Sequence, residues 1–212
     1  MNVAKKILVA DDHAIFREGL KQVIAKTVDM VVAGEATDGQ EVLSKIREND
    51  FDIVILDISM PGRNGLDILA EIKSLRPKLP VLILSMHPEE QYALRAFKAG
   101  ASGYLTKGNP PQELIEALQK VALGKKYISP NLAEVLVDNI GNEASTLPHN
   151  DLSNREFQVF CWIATGKPVS RIAADLNLSV KTISTYRTHI LRKMNMQNNA
   201  EITRYALQNH LI

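Results

Sequence analysis

Four short apolar runs each end on a polar residue suited to phosphoryl groups or hard cations. Residues 6–10 run into Asp11 and Asp12, 53–56 into Asp57, 81–84 into Ser85, and 103–106 into Lys107. Carboxylates gathered at neighbouring strand ends repel one another, and a hard, oxygen-rich cluster of this kind suits Mg²⁺. Within it Asp57 can act as a nucleophile, forming an acyl phosphate with a phosphoryl donor. Lys107 can pair with the phosphoryl group once attached, and Ser85 offers it a small hydroxyl donor. Each residue has a plainer reading. Asp11 or Asp12 could cap the helix that follows. Asp57, shortly before Met60-Pro61-Gly62, could be turn chemistry. Ser85 and Lys107 say little alone. It is the co-occurrence at four separate strand ends that favours a site.

The elements that must hold these residues alternate in kind. Apolar runs near 6–10, 31–33, 53–56, 81–84 and 103–106 predict strands. Between and after them Phe16, Leu20, Val23 and Ile24; Val42, Leu43 and Ile46; Leu66, Leu69, Ile72 and Leu75; and Leu114, Ile115, Leu118 and Val121 fall at helical spacing. Strands that are apolar throughout, separated by amphipathic helices, predict a doubly wound five-stranded parallel sheet covered on both faces. Such α/β sheets bind ligands beyond the carboxyl ends of their strands, where the polar residues stand.

The expected first domain spans residues 1–124. Residues 125–150 read as a linker region, rich in Gly, Asn, Ser, Thr and Pro toward its end. Residues 151–212 are helical in character and hold eight Lys/Arg against four Asp/Glu, net +4. The rest of the chain holds 25 − 8 = 17 basic and 24 − 4 = 20 acidic residues, net −3. A basic C-terminal third points toward a polyanion. No run of about 18 apolar residues predicts a membrane span. A single cysteine, Cys161, excludes an intrachain disulfide framework and fits a reducing, cytoplasmic setting.

In the C-terminal part, Ser153-Asn154-Arg155-Glu156 is a capping box, and Phe157, Phe160, Cys161 and Ala164 form an apolar stripe behind it. Cys161 and Trp162 read as packing residues. Residues 169–176, the turn Asn177-Leu178-Ser179, and a longer helix from about 180 to 194 make a helix-turn-helix pattern. Ile172, Leu176, Leu178, Ile183 and Tyr186 are spaced to face its core, and Asn177 suits a left-handed turn. Ser179 can cap the second helix, leaving its positive end for a phosphate. Lys181, Ser184, Thr185, Arg187, Thr188 and Arg192 are of types that contact phosphates and base edges. A plain two-helix hairpin in a small bundle is the competing reading.

With those residues in view, 3–124 resemble the receiver domain of bacterial response regulators, a flavodoxin-like fold. The resemblance is carried by Asp11-Asp12, by Asp57 in Leu-Asp-Ile-Ser-Met-Pro-Gly, by Ser85, and by Tyr104 three residues before Lys107. It implies phosphorylation of Asp57 by a sensor histidine kinase. It also implies Mg²⁺ held by Asp12, Asp57 and the Ser59 carbonyl, with Asp11 acting through water. Ser85 and Tyr104 would form a coupled switch that turns inward on phosphorylation. Residues 151–212 resemble the LuxR-type DNA-binding domain through Leu-Ser-x-Arg-Glu, Gly166, Ile172-Ala173, Leu176, Ser179, Lys181-Thr182-Ile183, His189-Ile190 and Lys193-Met194. That resemblance adds Ser179 and Thr182 to the residues expected at double-stranded promoter DNA. Pro168 and Ser184 depart from common members. Together the halves resemble the NarL/FixJ class: transcription factors rather than enzymes, with a homodimer as the expected active form.

Three other readings compete. An aspartyl phosphatase would want a second acid and a substrate-enclosing cap, neither of which is evident. A phosphate-independent receiver is disfavoured by the acidic pair and Lys107, and a small-molecule sensor by the four polar strand ends. His13, His87, His149, His189 and His210 show no metal-ligand spacing and read as structural or surface residues.

Overall fold

A computed structural model of the chain describes residues 4–130, 132–133, 147–209 and 211–212. The chain divides into two compact units, Met1–Ala133 and Glu134–Ile212.

In the first unit β1 (Lys5–Ala10), β2 (Met30–Ala36), β3 (Ile53–Leu56), β4 (Val81–Ser85) and β5 (Gly103–Thr106) alternate with α1 (Ala14–Ile24), α2 (Gly39–Glu48), α3 (Gly65–Leu75), α4 (Glu89–Lys98) and α5 (Pro111–Ala122). The strands form one sheet in the order β2-β1-β3-β4-β5, every neighbouring pair parallel. Every residue of β3 and β4 is buried, as continuous apolar strands between two helical layers require. Side chains alternate between faces. Ile7, Val9, Ile53, Ile55, Leu82, Leu84 and Leu105 pack with Leu20 and Ile24 of α1 and Leu114, Ala117, Leu118 and Val121 of α5. Leu8, Val54, Leu56 and Ile83, also buried, point to the opposite face. β2 is an edge strand, and it is longer than the run 31–33 expected: its exposed and half-buried residues interrupt the apolar pattern.

The first unit reaches past the expected boundary at 124. The Tyr127 amide donates to the Ser102 carbonyl at 2.8 Å, and Tyr127 bridges to Gly103 on the outer edge of β5. Its hydroxyl donates to Glu113 at 2.7 Å, and Leu132 is buried. Residues 125–130 and 132–133 are therefore docked chain, held by an aromatic and a leucine that a compositional reading of the linker passes over. Residues 131 and 134–146 of the expected linker lie outside the described residues.

Among the described residues the second unit comprises a 3₁₀ turn, Pro148–Asp151, then α6 (Asn154–Ala164), α7 (Val169–Asp175), α8 (Val180–Lys193) and α9 (Asn199–Gln208). His149, also inside the expected linker, is nearly buried and bonds Tyr205 Oη through Nδ1 at 2.9 Å. The capping box forms in full, with Ser153 and Glu156 serving each other's backbone N–H groups. Asn177 takes φ +52° in the turn between α7 and α8, and the Ser179 hydroxyl accepts from the Thr182 N–H at 3.0 Å. Phe157, Phe160, Ile172, Ile183, Ile190, Ile202 and Ala206 are buried among the helices. Leu178 and Tyr186, expected in that core, are only half-buried.

Candidate functional site

The carboxyl ends of β1, β3, β4 and β5 deliver the predicted residues to one place. Sheet bonding continues one step beyond the strands: the Asp57 amide donates to Ala10 at 2.9 Å and the Lys107 amide to Ser85 at 2.7 Å. This continuation fixes Asp57 and Lys107 on backbone that cannot drift. Lys107 Nζ lies 2.7 Å from Asp57 Oδ2 and 2.6 Å from Asp11 Oδ2. Asp11 and Asp57 are 2% and 1% exposed, so this ammonium supplies much of the charge balance for two buried carboxylates. The Phe16 ring lies 4.7 Å from the same nitrogen and presents its face to the cation. Burial pushes the Asp57 carboxyl above its ordinary range, against the pull of Lys107 and of the Ser59 N–H. For Lys107, burial alone would lower the pKa, but Asp57 and Asp11 hold it above the ordinary value. The residue thus stays cationic where a transferred phosphoryl group would need it.

Asp11, Asp12, His13 and Asp57 place ligand-capable atoms within 4.8 Å of one another. Neither aspartate caps α1, whose N-cap is His13 and which has no side-chain cap. Asp11 instead accepts from the His13 amide at 2.8 Å, and Arg17 Nη1 donates to the Asp11 carbonyl at 2.8 Å. His13 Nδ1 stands 3.1 Å from Asp11 and 3.0 Å from Asp12. The sequence reading passed over this histidine, although its place beside the acidic pair was the available signal.

Ser59, on the loop after β3, donates its amide to Asp57 Oδ1 at 3.0 Å. Its hydroxyl meets His87 Nε2 at 3.1 Å. Ser85 is fully buried, and its Oγ accepts from the His87 amide at 3.2 Å. Tyr104 is fully buried as well, with its hydroxyl donating to the His87 carbonyl at 2.9 Å. Burial raises the Tyr104 pKa, so the phenol keeps its proton. Burial, then the Lys107 charge, lowers that of His87. His87 is a second histidine that sequence reasoning left on the surface. Nothing in local sequence reveals that three hydroxyl-bearing residues converge on it. Beside the pocket an apolar groove of about 540 Å³ is lined by Ile15, Phe16, Leu20, Met86, Lys107 and Pro111, with Ile15 and Met86 well exposed.

In the second unit α8 is two-faced. Ile183 and Ile190 are buried, whereas Lys181, Ser184, Thr185, Thr188 and Arg192 are exposed at helical spacing on another side. Ser179 is exposed at the N-terminus of α8; Thr182 and Arg187 are half-buried. Ser184, Thr185 and Thr188 each donate their hydroxyl proton to the carbonyl four residues back, at 2.9, 3.0 and 3.0 Å. Arg187 Nε donates to Asn199 Oδ1 at 2.6 Å, which orients the guanidinium. Acids elsewhere engage Lys167, Arg171 and Lys193. Among the described residues Lys181 and Arg192 form no ion pair, which leaves their charge for an outside polyanion. His210 lies outside the described residues. The other histidines stay structural: His149 beside Tyr205, and His189 3.8 Å from Glu156. Among the described residues no helix is long and apolar enough to cross a membrane.

Comparison with known proteins agrees with both units. Residues 7–119 match the response regulator receiver domain family, and residues 150–206 match the family of bacterial regulatory proteins called luxR. The chain is 36% identical over 214 residues to the oxygen regulatory protein NreC of Staphylococcus carnosus, covering 98% of this chain and 99% of NreC. It is 34% identical over 206 residues to the response regulator UvrY of Escherichia coli K12, covering 97% and 94%. Among solved structures it is similar to RcsB of Salmonella enterica serovar Typhimurium bound to promoter rprA with the phosphomimetic BeF3⁻. There the TM-score is 0.66 at 25% identity, over 95% of this chain and 98% of RcsB.

Proposed function

The chain belongs to the bacterial two-component response regulators, transcription factors that join a receiver domain to a LuxR-type DNA-binding domain, and on that premise we propose which of its residues carry the signal. Asp57 is the phosphoryl acceptor. The observation that carries this reading is Lys107 Nζ, within 2.7 Å of carboxylates on both Asp57 and Asp11 at the strand ends. An Asp57 oxygen bonds to the phosphorus of a kinase phosphohistidine as the phosphorus–nitrogen bond breaks, and the electron pair leaves with the imidazole. Lys107 then swings its charge from the carboxylates toward the new phosphoryl oxygens. Ser85, whose Oγ accepts from the His87 amide and is bonded to Tyr104, can turn its hydroxyl proton from Tyr104 toward one of them.

The hard carboxylate oxygens of Asp11, Asp12 and Asp57 fit a Mg²⁺ ion, and the family resemblance would add the Ser59 carbonyl as a further ligand. Held there, the ion would supply positive charge to offset that of the transferring phosphoryl oxygens. His13 offers a nitrogen, less suited to this cation, and its role is to orient the two aspartates. In the second unit α8 enters the major groove of promoter DNA. Lys181 and Arg192 contact phosphates, Ser179 opens the helix end toward one, and Thr182, Ser184, Thr185, Arg187 and Thr188 line the face toward the bases. Two copies read paired half-sites, as helix-turn-helix dimers do. The chain acts in the cytoplasm, where its single buried thiol stays reduced.

Labelling tests the acceptor. A small phosphodonor with Mg²⁺ should place one phosphoryl group on the wild-type chain and tighten its binding to promoter DNA in a mobility-shift titration, while Asp57→Asn takes up none. Equal labelling of Asp57→Asn would move the acceptor elsewhere.

A further inference from the structure

We infer that Phe16 is a positioning residue for Lys107: the face of its ring holds the ammonium in place while the Asp57 and Asp11 carboxylates give way to a phosphoryl group. The inference rests on the phosphorylation of Asp57 proposed above.

A lysine ammonium has three N–H groups to satisfy. At Lys107 two carboxylate oxygens take part of that capacity, Asp57 Oδ2 at 2.7 Å and Asp11 Oδ2 at 2.6 Å. The side chain is only 4% exposed, so little of it meets solvent. Among the described residues no third oxygen bonds to Nζ, and the remaining partner is the Phe16 ring, with its centroid 4.7 Å away. A cation over a ring face is attracted by the negative π surface, most strongly where water is excluded.

The ring is itself well anchored. Phe16 stands in the first turn of α1, a turn without a side-chain cap. Other bonds fix that turn: the His13 amide donates to Asp11 at 2.8 Å, and Arg17 donates to the Asp11 carbonyl at 2.8 Å and to Glu35 at 3.1 Å. The half-buried Phe16 side chain also packs against the core beneath α1 and α5. Phe16 is thus tied to the ends of β1 and β2, and its position does not depend on the state of Asp57.

That independence matters because the contacts of Lys107 fare differently during transfer. As the Asp57 oxygen bonds to phosphorus, carboxylate charge passes into the new bond and the pull of Asp57 on the ammonium falls. The ring's attraction is unaffected by that loss and extends to about 6 Å. Nζ can therefore move by about an ångström from its present 4.7 Å toward the phosphoryl oxygens and remain within reach of the ring. An interaction whose share of the hold grows toward the transition state raises the rate.

The test follows initial labelling of the full chain by acetyl phosphate with Mg²⁺, read by intact-mass measurement. Phe16→Leu keeps an apolar side chain against the core and removes the π face. It should be labelled about three- to tenfold more slowly, the scale of one desolvated cation–π contact. Leucine also differs in shape, so a second series replaces Phe16 with phenylalanine carrying one, two or three ring fluorines. These withdraw charge from the ring face at nearly constant volume, and the logarithm of the rate should fall stepwise with each fluorine. A slow leucine variant with a level fluorinated series would make Phe16 a packing residue and overturn the inference, as would Phe16→Leu labelled at the wild-type rate. Absence of label on wild-type Asp57 would instead remove the acceptor reading, and the role of Phe16 with it.

Discussion

At Gly65 a methyl group has nowhere to go. A Cβ built there would stand 2.5 Å from the Ile58 Cα and 2.7 Å from the Asp57 carbonyl oxygen, both backbone atoms that no rotamer change can clear. The Gly65 amide also donates to the Ile58 carbonyl at 3.1 Å, drawing α3 against the acceptor loop. Gly65→Ala should therefore destabilise the first unit by about 1 to 3 kcal/mol, the range for forced overpacking. Because the displaced atoms belong to Asp57 and its neighbour, labelling by a small phosphodonor should fall even at temperatures where the fold persists. Denaturant titration and labelling stoichiometry check the two effects separately. An alanine variant equal to wild type in both would mean that the loop yields without consequence to the acceptor.

Among the elements, what a sequence reveals depends on whether its determinants are local. The five strands and the helices α1, α2, α3 and α5 around the pocket were legible because β3 and β4 are apolar from end to end and each of these helices repeats its own stripe. Asp57, Ser85 and Lys107 were legible as strand-end residues for the same reason. β2 was read short because an edge strand mixes exposed and buried positions. The docking of 125–130 and 132–133 was not legible because Tyr127 and Leu132 act through Gly103, Glu113 and the core, all distant in sequence. The same holds for His87, whose partners come from three elements. The capping box of α6, by contrast, was readable from four letters, and the structure gives it a second task. Glu156 accepts from the Ser153 amide at 2.8 Å and from Lys193 Nζ at 2.7 Å, tying the start of α6 to the end of α8. Burial works against its charge, yet Lys193 and Ser153 outweigh it and hold the carboxyl below the ordinary range. A carboxyl depressed on folding stabilises the folded state above its unfolded pKa, about 4.3, and loses that contribution as pH falls through the lower folded value. Urea titrations followed by Trp162 fluorescence, which reports the second unit, should show stability falling as pH drops below about 4.3. Glu156→Gln should cost about 1 to 2 kcal/mol at neutral pH and flatten that dependence. A variant that kept the full acid response would assign the effect to another carboxylate.

For the molecule as a whole the division of charge is the main physical fact. Residues 1–150 carry a net −3 and 151–212 a net +4, a contrast that the overall +1 conceals. Structure sharpens the basic part further. Lys167 and Arg171 are committed to Asp175, and Lys193 to Glu156, whereas Lys181, Arg187 and Arg192 of α8 form no ion pair among the described residues. Binding driven by phosphate contacts releases counterions, and each contact contributes about 0.9 to the slope of log affinity against log salt. Lys181→Ala should lower that slope by about 0.9 per protomer while leaving the preferred sequence intact. Replacing Arg187 and Thr188 together with alanine should instead erase the difference between promoter and unrelated DNA, because these residues stand on the face assigned to the bases. While bonded to the helix backbone, the hydroxyls of Ser184, Thr185 and Thr188 can accept from amino groups of adenine or cytosine, the donors in the major groove. A salt titration of each variant against both DNAs separates the two roles. If Lys181→Ala changed sequence preference, or if the Arg187–Thr188 double variant changed only the slope, the face of α8 that reads bases would have to be reassigned.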